Sequence, residues 1–193
     1  MNRKLGALGL VAVGCVCLAH SAWIPAKARL AQLLLAHAWE RTQAEGVDVR
    51  PWPWADTHPV AKLSVPRLGI ERMVLAGISG RTMAFGPGHY DGSAQPGTAD
   101  NIVLAGHRDT HFAFLRELAA GDEIHLEASG GTRQLFRVEE TQVLHESQAS
   151  VMEPTGRAEL TLITCFPFDA VVPGGPLRFV VRARAEKILI SLR

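Results

Sequence analysis

From residue 61 onward the chain is cut into short apolar runs by Gly, Pro and Asp, and this spacing restricts the possible folds more than any other feature. The runs AKLSV, MVLAGI, NIVLAGH, DEIHLEA, RQLFRVEETQVL, ELTLITC and LRFVVRA are mostly too short for amphipathic helices. Several alternate apolar with polar residues, as Ile124 and Leu126 do against His125 and Glu127. About seven strands at this spacing predict an all-β sandwich or closed barrel. One segment breaks the pattern: DTHFAFLREL, residues 109–118, reads as a short helix capped by Asp109 or Thr110 that turns Phe112 and Leu115 inward.

Ahead of this body the chain has a different character. Residues 5–24, LGALGLVAVGCVCLAHSAWI, approach the ~20 apolar residues that a membrane-spanning helix needs, with Arg3 and Lys4 before them and Trp23 at the interfacial position. The leading charges predict an N-terminus inside and a body outside, although Lys27 and Arg29 oppose that bias. A cleaved signal peptide, or a lipoprotein signal ending at Cys15, would leave the body on the same side. Residues 26–45 continue with a helical period marked by Leu30, Leu33, Leu34 and Trp39, and Gly46 is placed to stop them. The prolines of RPWPWADTHPVA then impose an extended connector. Three parts follow: a membrane helix at 1–25, an amphipathic helix and Pro/Trp-rich connector at 26–59, and a β-domain at 60–193. Trp52 and Trp54 are read equally well as membrane-surface contacts or as apolar cover over the β-domain.

With 20% charged residues and a formal net charge of +1, the chain lacks the basic footprint of a nucleic-acid binder. Cys15 and Cys17 fall inside the apolar N-terminal run, which leaves Cys165 alone in the β-domain. One thiol closes no internal disulfide and is too few for a cysteine zinc site, so Cys165 is either buried filler or a reactive group. A nucleophilic cysteine needs a base and a donor to the oxyanion formed at an acyl carbon. His107 closes the run NIVLAGH, Cys165 closes ELTLITC, and Arg178 sits between Leu177 and Phe179 on the last strand. A guanidinium there would be costly to bury unless it served a cleft or a carboxylate.

LAGHRDTHFAFLREL, then TLITC, then an arginine thirteen residues after the cysteine resemble the sortase family, over roughly residues 60–184. The PWPWAD segment is similar to that of sortases from Gram-negative bacteria. The resemblance implies a closed eight-stranded β-barrel with short helices. It also implies a cysteine transpeptidase that cleaves an LPXTG-like sorting signal between threonine and glycine. Cys165 would be the nucleophile, His107 the general acid and base, and Arg178 the oxyanion or backbone donor, with Thr164 as a further substrate contact. The expected partners are a protein with a C-terminal sorting signal, an amine acceptor and the membrane. The expected location is the outer, periplasmic face of the inner membrane. No cofactor or metal is required: His111 stands four residues after His107, but HRDTH lacks the glutamate of a zinc-binding HExxH helix, and Glu139, Glu140, Glu146 and Glu153 are too scattered to suggest calcium. His89 and His145 read as surface or turn residues. Two readings stay open beside the transpeptidase: a cysteine hydrolase using the same residues with water as acceptor, and a tethered β-domain in which Cys165 is filler.

Overall fold

The computed structural model describes residues 2–172 and 174–189, with side chains at residues 14, 23, 26–172 and 174–186. A long helix, α1 (Asn2–Glu45), leads into eight strands: β1 (Pro59–Val65), β2 (Ile70–Ala76), β3 (Gly88–His89), β4 (Asn101–Ala105), β5 (Glu123–Ala128), β6 (Arg133–His145), β7 (Glu159–Phe166) and β8 (Leu177–Leu189). They close into a barrel in the order β1-β2-β3-β4-β7-β8-β6-β5. The pairs β2–β3 and β4–β7 are parallel and the others antiparallel. All seven anticipated runs are strands, and the eighth is the two-residue β3, too brief to leave a period in the sequence. His89 lies on it and is only 1% exposed, its Nε2 2.9 Å from Ala94 O. It is a satisfied interior group, not the surface residue that its GPGHY setting suggested.

Alternation fills the barrel. Ala61, Leu63 and Val65 of β1, Ile124 and Leu126 of β5, Phe136 and Val138 of β6, and Leu160 and Leu162 of β7 point inward to one core with Phe112, Phe114 and Leu115. β4 is buried on both faces through Val103, which explains why NIVL reads as an uninterrupted apolar run. The segment after β4 does turn Phe112 and Leu115 inward, both fully buried. Its helical part, however, is a 3-10 turn at Ala113–Glu117 whose cap position is Phe112, with no side-chain cap bond. Neither Asp109 nor Thr110 caps it, because the amides of Thr110 and Phe112 already turn back to His107 O. Close packing under this turn requires glycine at 106, where a Cβ would stand 2.9 Å from the Phe112 ring.

The second half of α1 lies against the barrel. Ala31, Leu35, Ala38, Trp39 and Thr42 form the buried face, whereas Leu30 and Leu33 are 55% and 68% exposed. The packed stripe is therefore rotated from the one marked by Leu30 and Leu33. Gly46 ends the helix at φ +70°, with its amide donating to Thr42 O. Trp52 meets the Phe85 ring edge-on at 5.1 Å between centroids, while Trp54 is 82% exposed. The predicted anchor at 1–25 falls, apart from Gly14 and Trp23, on side chains outside the described residues. Among the described residues no helix is long and apolar enough to cross a membrane.

A clamp ties β1, β5 and the 3-10 turn together. Arg67 Nε and Nη2 donate to the two oxygens of Asp122 at 2.6 and 2.7 Å, and Nη2 also reaches Glu117 O. The Arg67 guanidinium, with the Ala119 amide adding to it, holds the Asp122 carboxyl below the usual carboxylate range. A carboxyl depressed in the folded state contributes stability that is present above its unfolded value near ~3.9 and is lost as pH falls through the folded value. Asp122→Asn should therefore lower the melting temperature at neutral pH and flatten its decline below pH ~4. Thermal denaturation of both proteins across that window checks this, and an unchanged acid limb in the variant would contradict it.

Candidate active site

Register brings the candidate residues to one place. Along β7 the side chains of Leu160, Leu162 and Thr164 face the interior, which sends Ile163 and Cys165 to the outer face. Cys165 is half-buried and its thiol is free. Directly opposite on β8 is Arg178, its cross-strand partner, and Arg178 is in turn opposite Leu144 of β6. On the other side of β7, parallel β4 runs in register to Ala105 opposite Ile163, and Gly106 N donates to Ile163 O. Two residues beyond Ala105 the chain reaches His107, level with the Cys165 end of β7 and exposed. The three residues singled out in the sequence thus lie at one end of three adjacent strands, on the outer surface of the barrel.

Thr164, expected to touch substrate, is 2% exposed, and its hydroxyl donates to Gly106 O at 2.7 Å. It locks the ends of β7 and β4 together from beneath, between the strand that carries Cys165 and the one that leads to His107.

The Arg178 guanidinium is held from several sides. Nη1 donates to Gly175 O at 2.7 Å and to Leu177 O at 2.9 Å, and Nη2 donates to Glu146 Oε2 at 2.6 Å. Glu146, just past β6, is tied down by its own amide, which donates to Pro176 O. Glu146 looked like one more solvated acid in the sequence. Its partner becomes visible only through the β6–β8 register, 32 residues apart. Leu144, Met152, Ile163 and Val180 join Glu146 and Arg178 around a small, mainly apolar hollow of about 120 Å³.

The connection roofing this hollow, residues 146–158, is pinned by two groups. Asn101, 1% exposed, donates through Nδ2 to Val151 O and Glu153 O, and its Oδ1 accepts from the Thr161 hydroxyl at 2.7 Å. Asp100 accepts from the amides of Asn101, Thr155 and Gly156, and these bonds, Asn101's foremost, hold its carboxyl below the usual range. The signal for Asn101 was present in the sequence: an amide opening a strand that is otherwise apolar. On the far side, Arg108 Nη2 donates to Ala170 O at 2.7 Å, joining the residue after His107 to the β7–β8 connection. Phe166, Phe168 and Phe179 cluster at the base of that connection, and the Arg116 guanidinium lies 5.5 Å over the Phe168 ring.

His111 lies on the other flank of the turn, with Nε2 3.4 Å from Ala84 O. Burial pushes its pKa down, and the charge of Arg72 and the neighbouring His107 add to this.

A thiol, an imidazole-bearing turn and a fixed guanidinium beside a small apolar hollow are the parts needed to attack an acyl carbon, relay a proton and donate to an oxyanion. Known proteins share this fold. The chain is 32% identical over 120 residues to sortase D of Bacillus subtilis (strain 168), a match spanning 62% of this chain and only 60% of that protein. Among solved structures it resembles sortase A of Corynebacterium diphtheriae, with a TM-score of 0.62 and 28% identity over 69% of this chain and 63% of that one. It also resembles sortase A of Listeria monocytogenes, with a TM-score of 0.62 and 26% identity over 70% of this chain and 92% of that one. The sortase-domain family model matches residues 63–186, well over half of the chain, and the chain belongs to the sortase family.

Proposed function

We propose that this protein is a membrane-anchored cysteine transpeptidase that cuts an LPXTG-like sorting signal and passes the acyl fragment to an amine. The observation that carries the reading is the cross-strand pairing of Cys165 with Arg178 at the strand ends where parallel β4 delivers His107. Cys165, as thiolate, attacks the carbonyl carbon of the threonine, and Arg178 donates to the oxyanion that forms. The carbon–nitrogen bond to glycine breaks, and His107 supplies the proton that lets the amine leave. An incoming amine then attacks the thioester, returns a proton to His107 and expels the thiolate. The net result is exchange of one amide bond for another, with no oxidant or cofactor consumed. The apolar hollow beside Arg178 suits an aliphatic side chain of the signal, and the exposed turn at His107 suits the acceptor.

Residues 5–24 support a retained anchor, with the barrel on the periplasmic side of an inner membrane, and PWPWAD supports membership of the sortases of Gram-negative bacteria. The test is incubation of the protein with a fluorogenic sorting peptide, with and without a primary amine, followed by mass analysis of the products. Transfer predicts an amide product that replaces the free acid as amine is raised. Product that remains the free acid at saturating amine would assign water as the acceptor.

A further inference from the structure

Away from Cys165, a groove runs between α1 and the rim of the barrel, with a volume of about 1100 Å³. One wall is the exposed side of α1, with Lys27, Arg29 and Leu33. The other is Arg72 of β2, Phe85 and His111. Gln32 crosses its base, its Nε2 donating to Phe85 O at 2.8 Å. The charge is one-sided. Lys27, Arg29 and Arg72 have no carboxylate within ion-pair distance among the described residues, and the one acid lining the groove, Glu71, lies 3.8 Å from Lys62. Arg72 spends one bond on Glu71 O and keeps its other donors. The lowered pKa of His111, due first to burial and then to Arg72 and His107, fits the same positive field.

Apolar surface adjoins these cations. Leu30 and Leu33 are left exposed by the way α1 packs, and Trp23, 59% exposed, carries Lys27 over its ring at 5.4 Å. A soluble phosphate would satisfy the cations but would leave the indole of Trp23, next to the span, in water. A lipid phosphate with acyl chains would satisfy both. The spacing agrees: at a rise of ~1.5 Å per residue, Lys27 and Arg29 stand roughly 4.5 and 7.5 Å beyond Ile24, inside and at the outer edge of a headgroup layer ~5–7.5 Å deep.

We propose that this groove is a binding site for an anionic phospholipid, with the phosphate held by Lys27, Arg29 and Arg72 and the acyl chains running back past Trp23 into the bilayer. The proposal rests on residues 5–24 being a membrane span. It makes α1 more than a tether. A lipid bridging helix and barrel fixes the barrel on the bilayer with the His107–His111 turn toward the headgroups.

The full chain reconstituted in discs of phosphatidylcholine, alone or mixed with phosphatidylglycerol, provides the test, with lipids that stay bound on release identified by native mass spectrometry. Phosphatidylglycerol should be retained above its share of the disc. Arg72→Gln, which alters the barrel and not the helix, should reduce that enrichment about fivefold at unchanged melting temperature, the weight of one cation at a membrane surface. Arg133→Gln, a barrel cation outside the groove, should leave it unchanged. Equal retention of the two lipids, or enrichment that survives Arg72→Gln, overturns the site. Inorganic phosphate that binds the detergent-solubilised chain as tightly as phosphatidylglycerol assigns the groove to a soluble anion and overturns the lipid. Extraction of the chain from phosphatidylcholine vesicles by alkaline carbonate would instead show that the span itself is wrong.

Discussion

Replacing Cys165 by alanine is expected to lower cleavage of a sorting peptide by about a thousandfold or more, to the level of a chain without a nucleophile, while leaving the melting temperature nearly unchanged. Both halves of this expectation come from the position of the side chain. Cys165 is on the outer face of β7, half-buried and outside the core formed by Leu160, Leu162 and their neighbours, so the lost sulfur opens no sealed cavity. The ladder bonds to β8 involve its backbone and survive the change. Peptide turnover measured beside thermal denaturation checks both. Full activity in the variant would leave a tethered β-domain as the better reading, and a large fall in melting temperature would show the sulfur to be packing.

The second large effect is expected at Arg178. Its guanidinium donates at once to two backbone carbonyls and to the Glu146 carboxylate, in a planar fork that a lysine ammonium cannot reproduce. Arg178→Lys should therefore reduce kcat/KM about a hundredfold, the scale seen when an oxyanion donor is lost, even though the positive charge is kept. Glu146→Gln keeps an acceptor for Nη2 and removes only the charge. Its loss should be about tenfold or less, since the pair is partly solvated and a neutral hydrogen bond replaces a charge-assisted one. Steady-state kinetics of the two variants settle the order. A lysine variant as active as the parent would mean that charge alone, and not the fork, serves the reaction.

Much of the fold could be read from the residues because its determinants are local. Period-two alternation marked β1, β5 and β6, and an unbroken apolar run marked β4, whose two faces are both covered. β3 escaped because two residues carry no period. The cap of the 3-10 turn was misplaced because His107 O takes the amides that a side chain would otherwise have served. The packed face of α1 differed from the leucine stripe because Ala31 and Ala38 allow a closer approach to the barrel than Leu30 and Leu33 would. At the site, Cys165, His107 and Arg178 stood out by type and by their place at strand ends. Thr164 did not reveal its direction, since ELTLITC alternates only as far as Leu162 and Ile163 then breaks the period.

The residues alone determined that this chain forms a β-domain behind an apolar helix, and that a single thiol, a histidine and an arginine are its chemical assets. Only the tertiary structure decided that Cys165 faces Arg178 across a strand pair, that Glu146 holds the guanidinium, and that parallel β4 brings His107 alongside from 58 residues away in sequence. The physical reason is the range of each interaction. Alternation follows from the pleat within one strand, whereas register is settled by which strands meet, and a slip of one residue would have turned Cys165 inward and Thr164 out.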